Sequence, residues 1–273
     1  MTILVNGQCG TSLPASDRGL LYGDGLFETL ALDHGKPLLW NRHLQRLTEG
    51  CRRLRLPIPD AKLLSDEIAQ IADPHSRSVI KIILTRGSSS RGYRIGNSST
   101  VTRIVQRLPW PLDSTTFSTE GVTVRWCQTR LARQPLLAGI KHLNRLEQVL
   151  ARAEWQDEYT EGLMHDTHGL VIEGTRTNLF LVQGDGTLVT PDLSQSGVAG
   201  VMRAQILELA ASAGLTCKEQ AVTTDMVDSA RECFLTNSLI GIWPIRQIEA
   251  RHYVVGPISQ TLQTALHATH CLA

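Results

Sequence analysis

No CxxC pair, no HExxH and no GxxxxGK[ST] run occurs in these 273 residues, and each absence removes a class of function. The six cysteines, Cys9, Cys51, Cys127, Cys217, Cys233 and Cys271, are scattered singly. That argues against a zinc ribbon, a thioredoxin-type site or a dense disulfide framework and fits reduced structural thiols. His267, His270 and Cys271 have only a loosely metal-like spacing, which the polar end of a terminal helix explains, so no metal is expected. There is no excess of either charge: 27 basic against 26 acidic residues leave +1. No whole-chain field therefore favours nucleic acid or an anionic membrane, and any anionic ligand must be recognised locally. No segment approaches the ~20 apolar residues of a membrane span. The start, Met1-Thr2-Ile3-Leu4-Val5-Asn6-Gly7, lacks a basic stretch followed by an apolar run, and the expected location is the cytoplasm. Internal repeats and low-complexity stretches are also missing.

What is present suits one large core or two modest ones, since 42% of the residues are hydrophobic and nothing in the composition suggests disorder. Runs at 3–5 and 26–32, with a return run at 38–40 after the turn Asp33-His34-Gly35-Lys36, read as strands and a hairpin. Leu44, Leu47, Cys51 and Leu54 recur at helical spacing over 42–56 until Pro57 and Pro59 stop them, and a second helix is expected over 61–72. Strands are expected at 79–84 and 101–108 around a Gly/Ser/Arg loop at 86–99. Pro109-Trp110-Pro111 then breaks both periodicities, because proline removes a backbone donor and biases its predecessor towards extended conformations. The expected organisation is an N-terminal α/β domain over 1–108, a linker over 109–117 and a C-terminal domain over 118–273.

In the second half, strands are expected at 121–127, 161–165, 170–172, 178–182, 188–190 and 233–236. Helices are expected at 141–155, with Leu143, Leu146, Val149 and Leu150 facing inward, at 202–213 closed by Gly214, at 225–231 and at 258–267. Without a regular βαβ repeat, the fold class is α+β in two domains.

The densest chemistry lies in Gly139-Ile140-Lys141-His142-Leu143-Asn144-Arg145-Leu146-Glu147-Gln148-Val149-Leu150, a lysine where a loop meets an amphipathic stretch. By itself such a lysine is ordinarily just solvated. It becomes a nucleophile where burial or nearby cations lower its pKa, and His142 and Arg145 are local cations. Three further blocks accompany it: Tyr22-Gly23-Asp24-Gly25-Leu26-Phe27-Glu28-Thr29, Glu173-Gly174-Thr175-Arg176-Thr177-Asn178-Leu179-Phe180 and Gly197-Val198-Ala199-Gly200-Val201-Met202-Arg203. In this order and spacing the four blocks resemble aminodeoxychorismate lyases, within the fold-type IV pyridoxal-phosphate enzymes that also include branched-chain and D-amino-acid aminotransferases. The resemblance spans nearly the whole chain.

The resemblance implies pyridoxal 5'-phosphate held as a Schiff base by Lys141. That cofactor brings a phosphate dianion, a ring nitrogen that must stay protonated and an aldehyde that needs an amine. Glu173 matches the carboxylate that pairs with the ring nitrogen and raises its pKa. Arg46, in His43-Leu44-Gln45-Arg46-Leu47, matches the phosphate arginine, whose planar fork suits bidentate binding. Val198 and Ala199, ahead of an expected helix, match main-chain donors to the phosphate. Thr236 and Asn237 resemble a further hydroxyl or amide contact to it, and Thr175 and Asn178 are placed beside the ring. The loop Arg86-Gly87-Ser88-Ser89-Ser90-Arg91-Gly92-Tyr93-Arg94 contains an RGY similar to the lyase pattern, which makes Arg91 and Tyr93 candidates for substrate carboxylates. Each residue also has an ordinary reading, as a solvated arginine, a strand-end carboxylate or a turn.

The implied activity is conversion of 4-amino-4-deoxychorismate to 4-aminobenzoate and pyruvate, a step of folate biosynthesis, by a homodimer. Lys141 would act as base at the amine-bearing carbon, and Lys141 or Thr29 would protonate the departing enolpyruvate. Lysine, glutamate and arginine equally suit a branched-chain or D-amino-acid aminotransferase; HLNRLEQVL after the lysine and the RGY loop favour the lyase. A non-catalytic two-domain binding protein is the third reading.

Overall fold

The computed structural model describes residues 2–89, 92–96, 100–111 and 116–269. The chain divides into two compact units, one made of Met1–Pro111 with Ile140–Asn144, the other of Leu112–Gly139 with Arg145–Leu272.

In the first unit, strands Thr2–Val5 (β1), Gln8–Cys9 (β2), Gly25–Asp33 (β3), Lys36–Pro37 (β4), Ser78–Thr85 (β5) and Thr102–Pro109 (β6) form an antiparallel sheet in the order β2-β1-β6-β5-β3-β4. The expected hairpin is present, with Leu32 opposite Pro37 and positive φ at His34 and Gly35, as a tight two-residue turn demands. Its return strand stops at Pro37, and Trp40, expected in that strand, begins a helix instead. Helices Arg18–Tyr22 (α1), Trp40–Leu54 (α2) and Ala61–Ile71 (α3) complete the unit, α2 against β3 and α3 against β1 and β6. The buried stripe of α2 is His43, Leu47, Gly50 and Cys51. It is rotated from the expected Leu44–Leu47–Cys51–Leu54 stripe because His43 has a polar partner in β3. Gly50 lets helix and strand approach closely, since a Cβ there would lie 2.8 Å from Leu26 Cδ1.

The second unit holds Phe117–Glu120 (α4), Val122–Trp126 (β7), Leu146–Arg152 (α5), Glu161–His165 (β8), Val171–Gly174 (β9), Asn178–Val182 (β10), Leu188–Pro191 (β11), Val201–Ser212 (α6), Cys217–Gln220 (β12), Thr224–Asp228 (α7), Glu232–Asn237 (β13), Gly241–Ile248 (β14), Arg251–His252 (β15) and Pro257–Ala268 (α8). Its strands run β12-β11-β10-β13-β14-β7-β8-β9, with β15 on β14. The pair Asn178–Glu173 joins β9 back to β10, so the sheet closes on itself and β9 is no longer a free edge. Val124, Leu163, Leu179, Leu181, Leu235, Trp243 and Ile245 meet in one buried cluster, while α6 and α8 pack on β13.

The segment around Lys141 differs most from expectation. Residues 141–143 do not form a helix; they lie extended along the start of β3, with Phe27 N–H donating to Lys141 O (2.9 Å) and Leu143 N–H to Gly25 O (3.0 Å). The sheet takes the backbone groups that a helix would need, so α5 starts only at Leu146. Ile140–Asn144 groups with the first unit, so the second is built from two stretches of chain on either side of it. The expected inward face of this helix also points outward: Leu146, Val149 and Leu150 are 76%, 60% and 60% exposed.

His165, at the end of β8, is buried against Trp126 with ring centroids 4.7 Å apart, and Thr224 Oγ1 lies 3.1 Å from its Nε2. Burial and the nearby Arg130 cation lower its pKa to about 4. An unfolded histidine takes its proton near 6.5, so between that pH and about 4 the unfolded state binds more protons and stability is lost as the pH is lowered. The urea midpoint of the wild-type protein is expected to drop from pH 7 to pH 4.5, and the drop to shrink in His165→Gln. An equal drop in both would contradict this.

Candidate active site

The first unit places Lys141 beside β3. Because side chains alternate along a strand, Phe27 and Thr29 share the half-open face of β3, whereas Leu26, Glu28 and Leu30 are buried on the other. Lys141 Nζ stands 4.5 Å from the centroid of the Phe27 ring, and Lys81 Nζ, from the residue paired with Thr29, stands 5.5 Å from the same centroid. Gly25 permits the close docking of the lysine segment, since a Cβ there would press on Leu143 Cδ1.

Beneath this face Glu28 accepts hydrogen bonds from Arg46 Nε (2.8 Å) and Nη2 and from His43 Nδ1 (2.7 Å). A carboxylate only accepts, so Nδ1 carries the histidine's proton in this pair. Burial alone would raise the Glu28 pKa, but Arg46 and His43 overcome it and hold the carboxyl at about 2. His43 is shifted down because burial outweighs the upward pull of the Glu28 carboxylate, with the Arg46 and Lys141 cations adding smaller downward pushes. The buried imidazole is thus kept neutral.

The Gly/Ser/Arg loop after β5 is tied down by arginines. Arg18 donates to Asp24 Oδ2, to Ser89 Oγ and to the carbonyls of Gly92 and Tyr93. Arg86 grips the same Asp24 carboxylate and the carbonyls of Leu54 and Arg55 at the end of α2. Burial would raise the Asp24 pKa, yet its bonds to Arg86 and Arg18 leave it below the usual range. Tyr93 is 83% exposed and its ring meets Tyr22 at a 60° tilt, with centroids 5.2 Å apart. Arg91 lies outside the described residues.

The second unit gathers Glu173, Asn178, Val198 and Thr236 around the closure of its sheet. Glu173 Oε2 accepts from Val198 N–H (2.9 Å) and Asn178 Nδ2 (3.3 Å), and Asn178 Nδ2 also donates to Val198 O (2.9 Å). Positive φ at Gly197 turns the chain so that Val198 N–H faces the carboxylate. Thr236, opposite Asn178 in the β10–β13 ladder, is fully buried, and its Oγ1 has no hydrogen-bond partner among the described residues. Gly200, the N-cap of α6, has no side chain to offer the helix start, and a Cβ there would collide with Asn178 Oδ1. The first-turn N–H groups of α6 therefore lack a side-chain cap.

Three sequence expectations need correction. The N–H groups of Val198 and Ala199 are already engaged within the protein, one by the Glu173 carboxylate and the other by Gly139 O (3.0 Å), and are not left for a phosphate. Donors suited to an anion belong to the next turn, from Val201 onward. Asn237 spends its side chain on its own turn, accepting from Leu239 and Ile240 N–H and donating to Arg176 O. Thr175 gives its hydroxyl to buried Glu161, which also accepts from Thr177 Oγ1 and the N–H groups of Gly162, Thr175 and Arg176 and so shapes the turn before Asn178. Sequence reasoning missed Glu161, Glu28 and His43. Glu28 carried a readable signal, a charge on the inward side of an apolar strand, and His43 and Arg46 three apart on one helix face were its natural partners.

These groups fit pyridoxal phosphate. Glu173 is a buried carboxylate for a protonated ring nitrogen, while the orphaned Thr236 hydroxyl and the uncapped start of α6 suit phosphate oxygens.

Residues 25–248 match the family described as Amino-transferase class IV. The aminodeoxychorismate lyase of Vibrio harveyi is 36% identical over 269 residues, covering 96% of this chain and 98% of that protein. The crystal structure of 4-amino-4-deoxychorismate lyase from Pseudomonas aeruginosa superposes with a TM-score of 0.94 at 48% identity, over 97% of this chain and 98% of that one. A putative branched-chain-amino-acid aminotransferase of Methanocaldococcus jannaschii is 30% identical over 282 residues, 96% of this chain and 94% of that protein. The two-domain α+β fold is that of the fold-type IV enzymes, and with a match over most of its length the chain belongs to the class IV aminotransferase family.

Proposed function

We propose that this protein is a pyridoxal-phosphate-dependent lyase that converts 4-amino-4-deoxychorismate to 4-aminobenzoate and pyruvate. The observation that carries the reading is the likeness, along almost the whole chain, to two lyases at 36% and 48% identity, above the 30% of the aminotransferase relative.

When bound, the cofactor supplies an electron sink that stabilises negative charge on the amine-bearing carbon. Lys141 would provide the amine that holds the cofactor and the base that takes the proton from that carbon. Glu173, fixed by Val198 N–H and Asn178, keeps the ring nitrogen protonated. Arg46, Thr236 and the first turn of α6 receive the phosphate. Loss of the neighbouring enolpyruvyl group leaves an aromatic ring, which drives the step, and Lys141 or the hydroxyl of Thr29 delivers the proton that makes pyruvate. Arg91 and Tyr93 are assigned to the substrate carboxylates.

We further propose that the protein works as a homodimer. Leu146, Val149 and Leu150, spaced to share one face of α5, and Leu136 in the preceding loop are 60–77% exposed. Burying such side chains is worth roughly 1.5–3 kcal/mol each, so a second copy covering them gains substantially.

Purified protein given 4-amino-4-deoxychorismate is expected to release 4-aminobenzoate and pyruvate without a keto-acid acceptor. Acceptor-dependent amino transfer with no aromatic product would support an aminotransferase instead. Lys141→Ala is expected to lose the visible-edge absorbance of lysine-bound cofactor and at least about 10³-fold of the activity; an unchanged band would place the linkage on another lysine. Leu146→Asp/Leu150→Asp is expected to run as a monomer in light scattering at a concentration where wild type is dimeric, and an unchanged mass would place the interface elsewhere.

A further inference from the structure

We propose that Glu28 is a positioning residue: with His43 it pins the Arg46 guanidinium in one orientation before an anionic phosphate ester arrives. This rests on the assignment of Arg46 to the cofactor phosphate made above.

Glu28 is 1% exposed between Leu26 and Leu30 on the inward face of β3, a place where a carboxylate is costly without partners. Its partners come from one face of α2. Arg46 meets it with Nε and Nη2, a two-point contact that fixes the guanidinium plane as well as its distance. His43, 0% exposed, bonds through Nδ1 to Oε2, the same oxygen that Arg46 Nη2 contacts. The carboxylate is therefore held by two side chains, and neither can swing without unpairing a buried charge. His43 Nε2 has no hydrogen-bond partner among the described residues, so the imidazole is retained for its Nδ1 contact to Glu28. The Arg46 side chain itself keeps 12% exposure, enough for a ligand to reach it. Arginine carries much side-chain entropy, and fixing the fork during folding spares the ligand that cost on binding.

A competing role has the opposite sign. If Glu28 acted only through its charge, it would repel a phosphate dianion, and neutralising it would tighten cofactor binding. If it acts by holding Arg46, neutralising it weakens binding, and only for ligands that carry the phosphate.

The test titrates apoprotein with pyridoxal phosphate and with pyridoxal, which lacks the phosphate, following protein fluorescence in wild type, Glu28→Gln, Arg46→Ala and the double variant. Glu28→Gln is expected to raise the pyridoxal-phosphate Kd about tenfold or more, to leave the pyridoxal Kd within about twofold, and to add little once Arg46 is alanine. Wild-type or tighter phosphate-form binding in Glu28→Gln, equal weakening of both ligands, or an undiminished effect in the Arg46→Ala background would overturn the proposal. Failure of the underlying reading looks different: Arg46→Ala alone would leave the ratio of the two constants unchanged. Should Glu28→Gln not fold, Glu28→Asp and His43→Gln carry the same test, each expected to weaken pyridoxal phosphate and not pyridoxal, with wild-type constants for both counting against it.

Discussion

The main-chain pairing of Lys141 and Leu143 with the first residues of β3 is the constraint on which the rest depends. Two hydrogen bonds, Phe27 N–H to Lys141 O and Leu143 N–H to Gly25 O, turn a would-be helix start into a short extended segment. A strand sets side-chain direction with a period of two, so Lys141 lies over the Phe27 ring, and Thr29 stands one alternation further along the same face. The opposite face of β3 carries Glu28 down to α2, where it meets His43 and Arg46. One strand thus organises Lys141 on one side and Arg46 on the other.

The second unit solves its own problem by closing its sheet. Joining β9 to β10 through Glu173 and Asn178 leaves those residues at a seam where their side chains are buried and bonded to each other. A buried carboxylate must be satisfied, and Val198 N–H does that through the turn at Gly197. Directly after it, α6 begins at a glycine without a capping side chain, and Thr236 lies buried with an unpaired hydroxyl. Helix starts and buried hydroxyls are ordinarily satisfied within the protein, and both being open in one cluster is what supports the proposed phosphate contact.

Much of this was legible in the sequence. The four blocks drew attention to Lys141, Glu173 and Asn178, the separate segment His43–Leu47 to Arg46, and turn chemistry to the β3–β4 hairpin and the end of α6 at Gly214. What was not legible has physical reasons. LEQVL has helical periodicity, but periodicity does not say which face is wet, and Leu146, Val149 and Leu150 proved to be outside. No proline or glycine in 141–145 announces that those residues pair with a distant strand. β14 hid behind Pro244 and β12 behind Lys218, Glu219 and Gln220, whose polarity reads as loop. Val198 and Ala199 were misassigned because a loop N–H takes its partner from the tertiary structure, here Glu173 and Gly139, which local sequence cannot supply.

The account stands on Lys141 as the covalent anchor, and two lysines lie close to the same Phe27 ring, Lys141 at 4.5 Å and Lys81 at 5.5 Å. Borohydride reduction of the holoenzyme, followed by proteolysis and mass spectrometry of the peptides, separates them. The phosphopyridoxyl group is expected on Lys141, in the peptide containing Gly139-Ile140-Lys141-His142. Its recovery on Lys81 or any other lysine, or on none, would contradict the account.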